Sequence, residues 1–222
     1  MPRLAVSAKR AIVNSKYHWA REVDVSESSS RFEDAIARLD AVHAQDPRHE
    51  NVDGEPVPAE LLYAQRMSDW LERLLPDASE ALRLAVRSQH LRRWRIPRAD
   101  YPLGRAGYHA WRRQLMRQQA DEAAAILREA GYDDELCERV ASLVRKENLR
   151  RDAETQALED AACLVFLQHY FADFAADHSE EKLVGIVRKT WNKMSDQAKA
   201  LAGELSLSPG EQAIVEQALA EE

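Results

Sequence analysis

The stretch 87–113 concentrates the side chains whose chemistry suits an anion. It holds eight arginines, no lysine and one acid, Asp100, so it carries a formal charge of +7 within a chain of net charge −7. Histidine and aromatic side chains lie among these arginines: His90, Trp94, Tyr101, Tyr108, His109 and Trp111. Guanidinium groups grip phosphate or carboxylate in a fixed fork, and ring faces can stack on a base or a sugar. The stretch therefore predicts an anion-binding surface, or else a solvated helix–loop–helix whose arginines pair with the acidic remainder of the chain.

His90 is the candidate catalytic residue of this stretch. It lies four residues before Trp94, so a continuous helix would place both side chains on one face. Arg87, Arg93 and Arg98 crowd the imidazole, and positive neighbours disfavour its charged form. A neutral His90 would be available as a hydrogen-bond acceptor, a general base or a metal ligand. The alternative is a packed or surface histidine without a chemical role.

The side chains expected to hold a ligand follow from the same pattern: Arg93, Trp94, Arg98, Tyr108, Trp111 and Arg112. Of these, Tyr108 and Arg112 share one side of the next helix with Leu115 and Gln119. The apolar Leu115 indicates that this side partly faces the core. Tyr108 and Arg112 could then point toward the same cavity as His90.

Asp160 is the candidate carboxylate, because it lies in the most apolar stretch of the chain, 157–167. A buried carboxylate must be paired, metal-bound or protonated. Asp160 would therefore form a structural ion pair with an arginine, or it would serve as a metal ligand or orienting group at the floor of a site. Gln156, one turn earlier, would share its face. Lys146 is a further candidate cation near a site, or else part of a solvated helix end.

The elements that must position these residues are helices. Ala, Leu, Glu and Arg dominate the composition, and no alternating strand-like run occurs. Capping residues and prolines divide the chain into about nine helices with short connections, one of which runs from Asp77 to about Trp94. A polar loop is expected around Gly54. The sequence thus predicts one all-α domain over 31–206, a flexible extension over 1–30 and a short C-terminal helix over 207–222.

Bulk properties narrow the classes of function. No apolar run approaches the roughly 20 residues that a membrane span needs. The two cysteines, Cys137 and Cys163, form neither a metal motif nor a disulfide framework, which favours a reducing, cytoplasmic compartment. The negative net charge argues against binding of duplex DNA but leaves room for a local phosphate site.

A series of short motifs runs from about Arg31 to Ala200: 60–67 (ELLYAQRM), 89–90, 93–94, 96–98, 101–102, 107–108, 111–112, 131–133, 158–160 (LED), 162–167 (ACLVFL), 189–191 and 193–195. Together these motifs resemble the bacterial and fungal family called domain of unknown function 4202. The resemblance covers most of the chain and implies no activity.

A more distant resemblance is to the helical HD-domain phosphohydrolases. Tyr63 with Arg66 stands where that layout has its first His and Arg, and His90 falls at the His-Asp doublet. Asp160 falls at the final Asp in a similar setting, and the loop 96–98 is also similar. The resemblance implies a helical bundle and, in its complete form, a divalent metal that activates water.

The departures from the HD layout concern the metal. Tyr63 is not a usual ligand of a hard divalent ion, and the doublet lacks its Asp. Gln119 and Lys146 stand where later histidines would be expected. Only His90 and Asp160 remain as possible ligands, so the resemblance implies an HD-like scaffold with an incomplete metal set.

Three functions remain open on these grounds. The chain binds a phosphate-containing small molecule or nucleotide on a degenerate, metal-free HD-like scaffold, which is the interpretation we favour. Alternatively, it is a metal-dependent phosphohydrolase that acts on a phosphate ester or nucleotide. The third possibility is a helical interaction or scaffold protein whose arginines are structural.

Overall fold

The computed structural model describes residues 31–220, which form ten α-helices and one β-hairpin. In chain order these are α1 Arg31–His43, β1 His49–Val52, β2 Glu55–Pro58, α2 Ala59–Leu74, α3 Glu80–Arg87, α4 Gly104–Glu129, α5 Asp134–Val144, α6 Ala153–Val165, α7 Phe171–Ala176, α8 Glu180–Trp191, α9 Asp196–Ala202 and α10 Pro209–Ala220. The predicted all-α class is confirmed. The expected extension over 1–30 lies outside the described residues. Within them, no helix combines the length and apolarity that crossing a bilayer requires.

Four helix starts are fixed by local capping chemistry. The side chains of Asp133, Asp152 and Ser195 each accept a hydrogen bond from a backbone N–H in the first turn of the following helix. Ser79 does the same for α3, where Asp77 was expected to be the cap. These bonds satisfy N–H groups that a helix leaves unpaired at its N-terminus.

The segment around Gly54 is a hairpin and not the predicted loop. β1 and β2 pair antiparallel with His49 opposite Pro58 and Val52 opposite Glu55. Asp53 and Gly54 form the turn with φ of 54° and 92°, the left-handed conformation that a tight two-residue hairpin turn needs. The hairpin leads directly into α2, whose first residues line the site described below.

The predicted helix from Asp77 to Trp94 is wrong at its C-terminal end, because α3 stops at Arg87. An irregular turn follows, with φ of 67° at His90 and 45° at Arg92. His90 and Trp94 therefore do not share a helix face. The turn is anchored by the buried Arg87, whose guanidinium forms a two-point ion pair with Asp40 at 2.6 and 2.7 Å.

The main core lies between α2, α3, α5 and α6, with α4 packed on α5. Its largest fully buried side chains include Trp70, Met67, Leu82, Leu127 and Leu158. A smaller second cluster, built on Phe171, Leu183 and Val187, joins α7, α8 and α10. Between α6 and α7 the helical path widens into a π-helical turn, Phe166–Tyr170.

Candidate functional site

A cavity of about 480 Å³ opens between α2, the turn after α3, α4, α6 and the segments that follow α5 and α8. Its charged wall consists of five cations and three carboxylates, namely Arg48, Arg93, Arg112, Lys146, Lys193, Glu50, Glu60 and Glu159. Tyrosines from three elements, Tyr63, Tyr108 and Tyr170, complete the polar surface. The wall is drawn from several distant stretches of the chain, so only the folded protein assembles it.

His90 lies at one end of the cavity and is held on three sides. Its Nδ1 is 2.9 Å from Glu60 Oε2, and its ring stacks on Tyr63 with centroids 3.9 Å apart. Arg93 Nη1 is 2.8 Å from Nε2 and 3.3 Å from Nδ1. An atom this close to both nitrogens cannot lie in the ring plane, since it would collide with the carbon between them. Arg93 therefore covers the ring face opposite Tyr63, and the in-plane lone pair of Nε2 remains open.

The surroundings of His90 keep its ring neutral. Burial lowers the pKa of His90 to about 3, and the nearby charge of Arg93 adds to this effect against the opposing influence of Glu60. The single ring proton then lies on Nδ1, from which it is donated to Glu60. Neutral His90 thus presents Nε2 as an acceptor.

Glu60 is the buried carboxylate behind His90. Burial opposes its ionisation, but the hydrogen bond from His90 and the charges of Arg93 and Arg48 outweigh that effect and lower the pKa of Glu60 to about 2. Arg48 donates to Glu60 Oε1 at 2.6 Å and also pairs with Asp46. Glu60 is therefore ionised at neutral pH. Arg48 compensates its charge at Oε1, and Oε2 accepts the hydrogen bond from His90.

The opposite end of the cavity is built around Glu159. Lys146 Nζ lies 2.5 Å from Glu159 Oε2, and Lys193 Nζ lies 3.4 Å from Oε1. Burial again opposes ionisation, yet the two lysines lower the pKa of Glu159 to about 2. Lys146 reaches this position from a left-handed residue with φ of 56° in the turn after α5.

Arg93 and Arg112 are the arginines of the wall that form no direct ion pair in the described part of the chain. Within residues 31–220 neither guanidinium lies within 4.0 Å of a carboxylate oxygen. Burial lowers the pKa of Arg93, the charge of Glu60 opposes this shift, and the like charge of Arg112 adds to it. With His90 neutral, the wall of the cavity carries a surplus of two positive charges.

Gln119 adds an unsatisfied donor to the same wall. Its side chain is only 4% exposed, and its amide nitrogen has no hydrogen-bond partner among the described residues. A buried donor without a partner is costly, and such groups in folded proteins call for an explanation.

Five of the ten predicted site residues line the cavity: His90, Arg93, Tyr108, Arg112 and Lys146. Five do not: Trp94, Arg98, Trp111, Gln156 and Asp160. Arg98 donates instead to the backbone oxygens of Tyr101 and Pro102, both at 2.9 Å. Trp111 is buried, and its Nε1 donates to the backbone oxygen of Ile96 at 2.8 Å. These two residues fix the loop between α3 and α4 that carries the site.

Asp160 is structural in this arrangement. Its Oδ1 accepts hydrogen bonds from Gln156 Nε2 and from the backbone N–H of Ser195, each at 2.9 Å. Gln156 also donates to the backbone oxygen of Lys193 at 2.8 Å. The expected approach of His90 and Asp160 across one cavity is therefore not found, and the neighbouring Glu159 faces the cavity instead.

Sequence reasoning missed Glu60, Tyr63, Glu159 and Lys193 as members of the site. The acid pair 159–160 was a usable signal, because two successive acids in an apolar helix point in different directions. Which of the two faces the cavity depends on the neighbouring segment after α8. Glu60 gave no local signal, since its partner His90 lies thirty residues further along the chain.

The donor set does not fit a metal ion. Among residues 31–220 no three His, Cys, Asp or Glu side chains converge as a metal site would require. Nδ1 of His90 is already engaged with Glu60, and Asp160 is bound to the start of α9.

The fold and the site together define a helical protein with a cationic cavity and a neutral histidine on its wall. The chain belongs to the family described as Domain of unknown function (DUF4202), whose model matches residues 33–215. That range contains every residue that lines the cavity. No curated protein and no solved structure matches the chain.

Proposed function

We propose that the cavity binds a phosphate-containing small molecule or nucleotide. The observation that carries the proposal is the pair Arg93 and Arg112, two guanidinium groups on one cavity wall without a carboxylate partner among the described residues. Two unpaired like charges repel each other in a partly buried site, and an anion between them would relieve that repulsion. Guanidinium forks are well suited to phosphate oxygens.

The remaining wall suits the same class of ligand. Gln119 lines the cavity, and Lys146 and Lys193 lie beside Glu159. Tyr108 is 46% exposed and also lines the cavity. A volume of about 480 Å³ falls within the usual range for small-molecule sites.

The metal-dependent alternative has less support. Of the two possible metal ligands, only His90 lies on the cavity wall. The scaffold alternative accounts for Arg87 and Arg98, which are engaged with Asp40 and with backbone oxygens. It does not account for Arg93 and Arg112, which have no carboxylate partner among the described residues. Nor does it account for the buried amide nitrogen of Gln119, which has no hydrogen-bond partner there.

Calorimetric titration with inorganic phosphate and with adenosine 5′-monophosphate tests the proposal. The wild-type protein should bind at least one of them, and Arg112→Gln should weaken that binding by about 10- to 100-fold, because it removes charge-assisted hydrogen bonds. Arg117→Gln is the matched control: this exposed arginine lies on the same helix, does not line the cavity, and should leave the affinity unchanged. Absence of binding by the wild-type protein, or equal loss in both variants, would contradict the proposal.

A further inference from the structure

We propose that His90 Nε2 accepts a hydrogen bond from a protonated oxygen of the bound anion, so that the site selects oxyanions that still carry a proton, such as hydrogen phosphate, over fully deprotonated ones, such as sulfate. This inference rests on the proposed function and specifies the chemistry of its ligand. It assigns to His90 the role of a specificity-determining residue.

The first step is that only one edge of the His90 ring can meet a ligand. Glu60 takes Nδ1, Tyr63 covers one face and Arg93 covers the other. The side chain is nevertheless 15% exposed and lines the cavity. The edge that carries Nε2, with the ring carbon on either side of it, is the part of the ring that these three groups leave uncovered.

The second step is that this edge lies beside the anion ligands. Arg93 Nη1 is 2.8 Å from Nε2. An oxygen that accepts a hydrogen bond from the Arg93 guanidinium on the side of the uncovered ring edge can therefore also lie within hydrogen-bonding reach of Nε2. One anion oxygen can thus contact both residues.

The third step is that Nε2 can only accept. The charged and titratable groups around the ring are Glu60 and Tyr63 from α2, Arg93 from the same turn and Arg112 from α4. Glu60 fixes the ring proton on Nδ1, and the two arginines oppose a second proton. A bare anionic oxygen against this lone pair is repelled, whereas an O–H group forms a hydrogen bond.

The chemistry of tetrahedral oxyanions turns this arrangement into selectivity. Inorganic phosphate retains at least one proton near neutral pH, while sulfate of the same shape has none. A phosphate monoester loses its last proton with a pKa of about 6. The site should therefore hold hydrogen phosphate near pH 7 and should hold a monoester more weakly as the pH rises through that value.

The experiment compares inorganic phosphate with sulfate by calorimetry on the wild-type protein, at equal ionic strength and near pH 7. Phosphate should bind about 10- to 100-fold more tightly, the worth of one hydrogen bond to a charged group. Sulfate binding within twofold of phosphate would overturn the inference while leaving the proposed function intact. Binding of neither anion would overturn both.

A variant identifies the acceptor, because Glu60 and Glu159 are also acceptors on the cavity wall. In His90→Asn the amide can donate to Glu60 in place of Nδ1, tolerates the left-handed backbone and is too short to reach the position of Nε2. The ratio of phosphate to sulfate affinity should then fall toward one. An unchanged ratio in this variant would assign the selectivity to a carboxylate and overturn the role of His90. If His90→Asn does not fold, the ratio of phosphate to sulfate affinity in the wild-type protein still distinguishes selective from non-selective binding.

Discussion

Arg87 and Arg112 lie near the two ends of one basic stretch and have opposite surroundings. Arg87 is buried and forms a two-point ion pair with Asp40, with Ser68 as a further acceptor at 3.2 Å. Arg112 lines a cavity without a carboxylate partner in the described part of the chain. Charge pattern alone predicts eight equivalent cations, whereas the partners that distinguish them come from distant parts of the sequence.

Removing one partner of the ion pair between Arg87 and Asp40 should destabilise the protein strongly. In Asp40→Asn the buried guanidinium keeps its charge and loses its counterion, which should lower the free energy of unfolding by about 3 kcal/mol. Urea denaturation followed by circular dichroism measures the change. Asp34→Asn is the control, since its pair with Arg38 on the same helix is exposed and should matter much less. Equal losses in the two variants would contradict a special role for the buried pair.

At the scale of elements, the loop between α3 and α4 is held in place by close packing against the first turn of α4. Gly107 is buried there, and a β-carbon at this position would collide with the backbone oxygen of Pro102. Arg98 and Trp111 fix the same loop through its backbone oxygens. Tyr108 and Arg112 follow directly in α4, so this contact sets their position on the cavity wall.

Gly107→Ala should therefore destabilise the protein although it replaces glycine with a better helix former. The collision involves backbone atoms, so overpacking should cost about 1–3 kcal/mol in the free energy of unfolding. Gly185→Ala, in the middle of α8, meets no atom within 4 Å and should instead stabilise the protein by up to about 1 kcal/mol. Thermal unfolding of both variants gives the comparison. A stabilising effect of Gly107→Ala would show that the loop can move away from the added β-carbon at little cost in free energy, contrary to this prediction.

The elements that could be predicted from sequence are those fixed by local chemistry. Asp133, Asp152 and Ser195 are caps because the bonds they make are within three residues. The end of α3 was not predictable in this way, because the left-handed His90 is held by Glu60 and Tyr63 of another helix. The choice of Glu159 over Asp160 is equally non-local, since one residue along a helix turns a side chain by about 100°.

At the scale of the whole molecule, an acidic chain holds several ionisable groups in protonation states that acid will change. Buried His43 and His90 have lowered pKa values, through burial above all, with that of His90 at about 3. Glu60 and Glu159 have pKa values of about 2, because charged neighbours outweigh burial. In both classes the unfolded chain binds a proton at a higher pH than the folded chain does.

Stability should consequently fall on acidification in two overlapping windows. Below about pH 6.5 the unfolded chain protonates histidines that the fold keeps neutral, and below about pH 4.5 it protonates carboxylates that the fold keeps ionised. Each group contributes up to about 1.4 kcal/mol per pH unit. Urea titrations from about pH 7 to about pH 4 should show a steady decline, shallower in His90→Asn. A constant free energy of unfolding between about pH 6.5 and about pH 4.5 would rule out neutral buried histidines.

The π-helical turn at Phe166–Tyr170 has a consequence for insertions and deletions. Such a turn holds one residue more than an α-helix would over the same rise, and it ends at Tyr170, which lines the cavity and accepts a hydrogen bond from Arg66 at 2.9 Å. Because the extra residue is taken up within one wide turn, the helix after it keeps nearly the rotation that an uninterrupted helix without that residue would have. Deleting one residue from 166–170 should therefore leave Phe171 in the second core cluster, whereas deleting one from the regular part of α6 would turn Tyr170 and Phe171 by about 100°. The cavity and the C-terminal helices depend on the same helical register, and this wide turn is the place where a change of chain length disturbs them least.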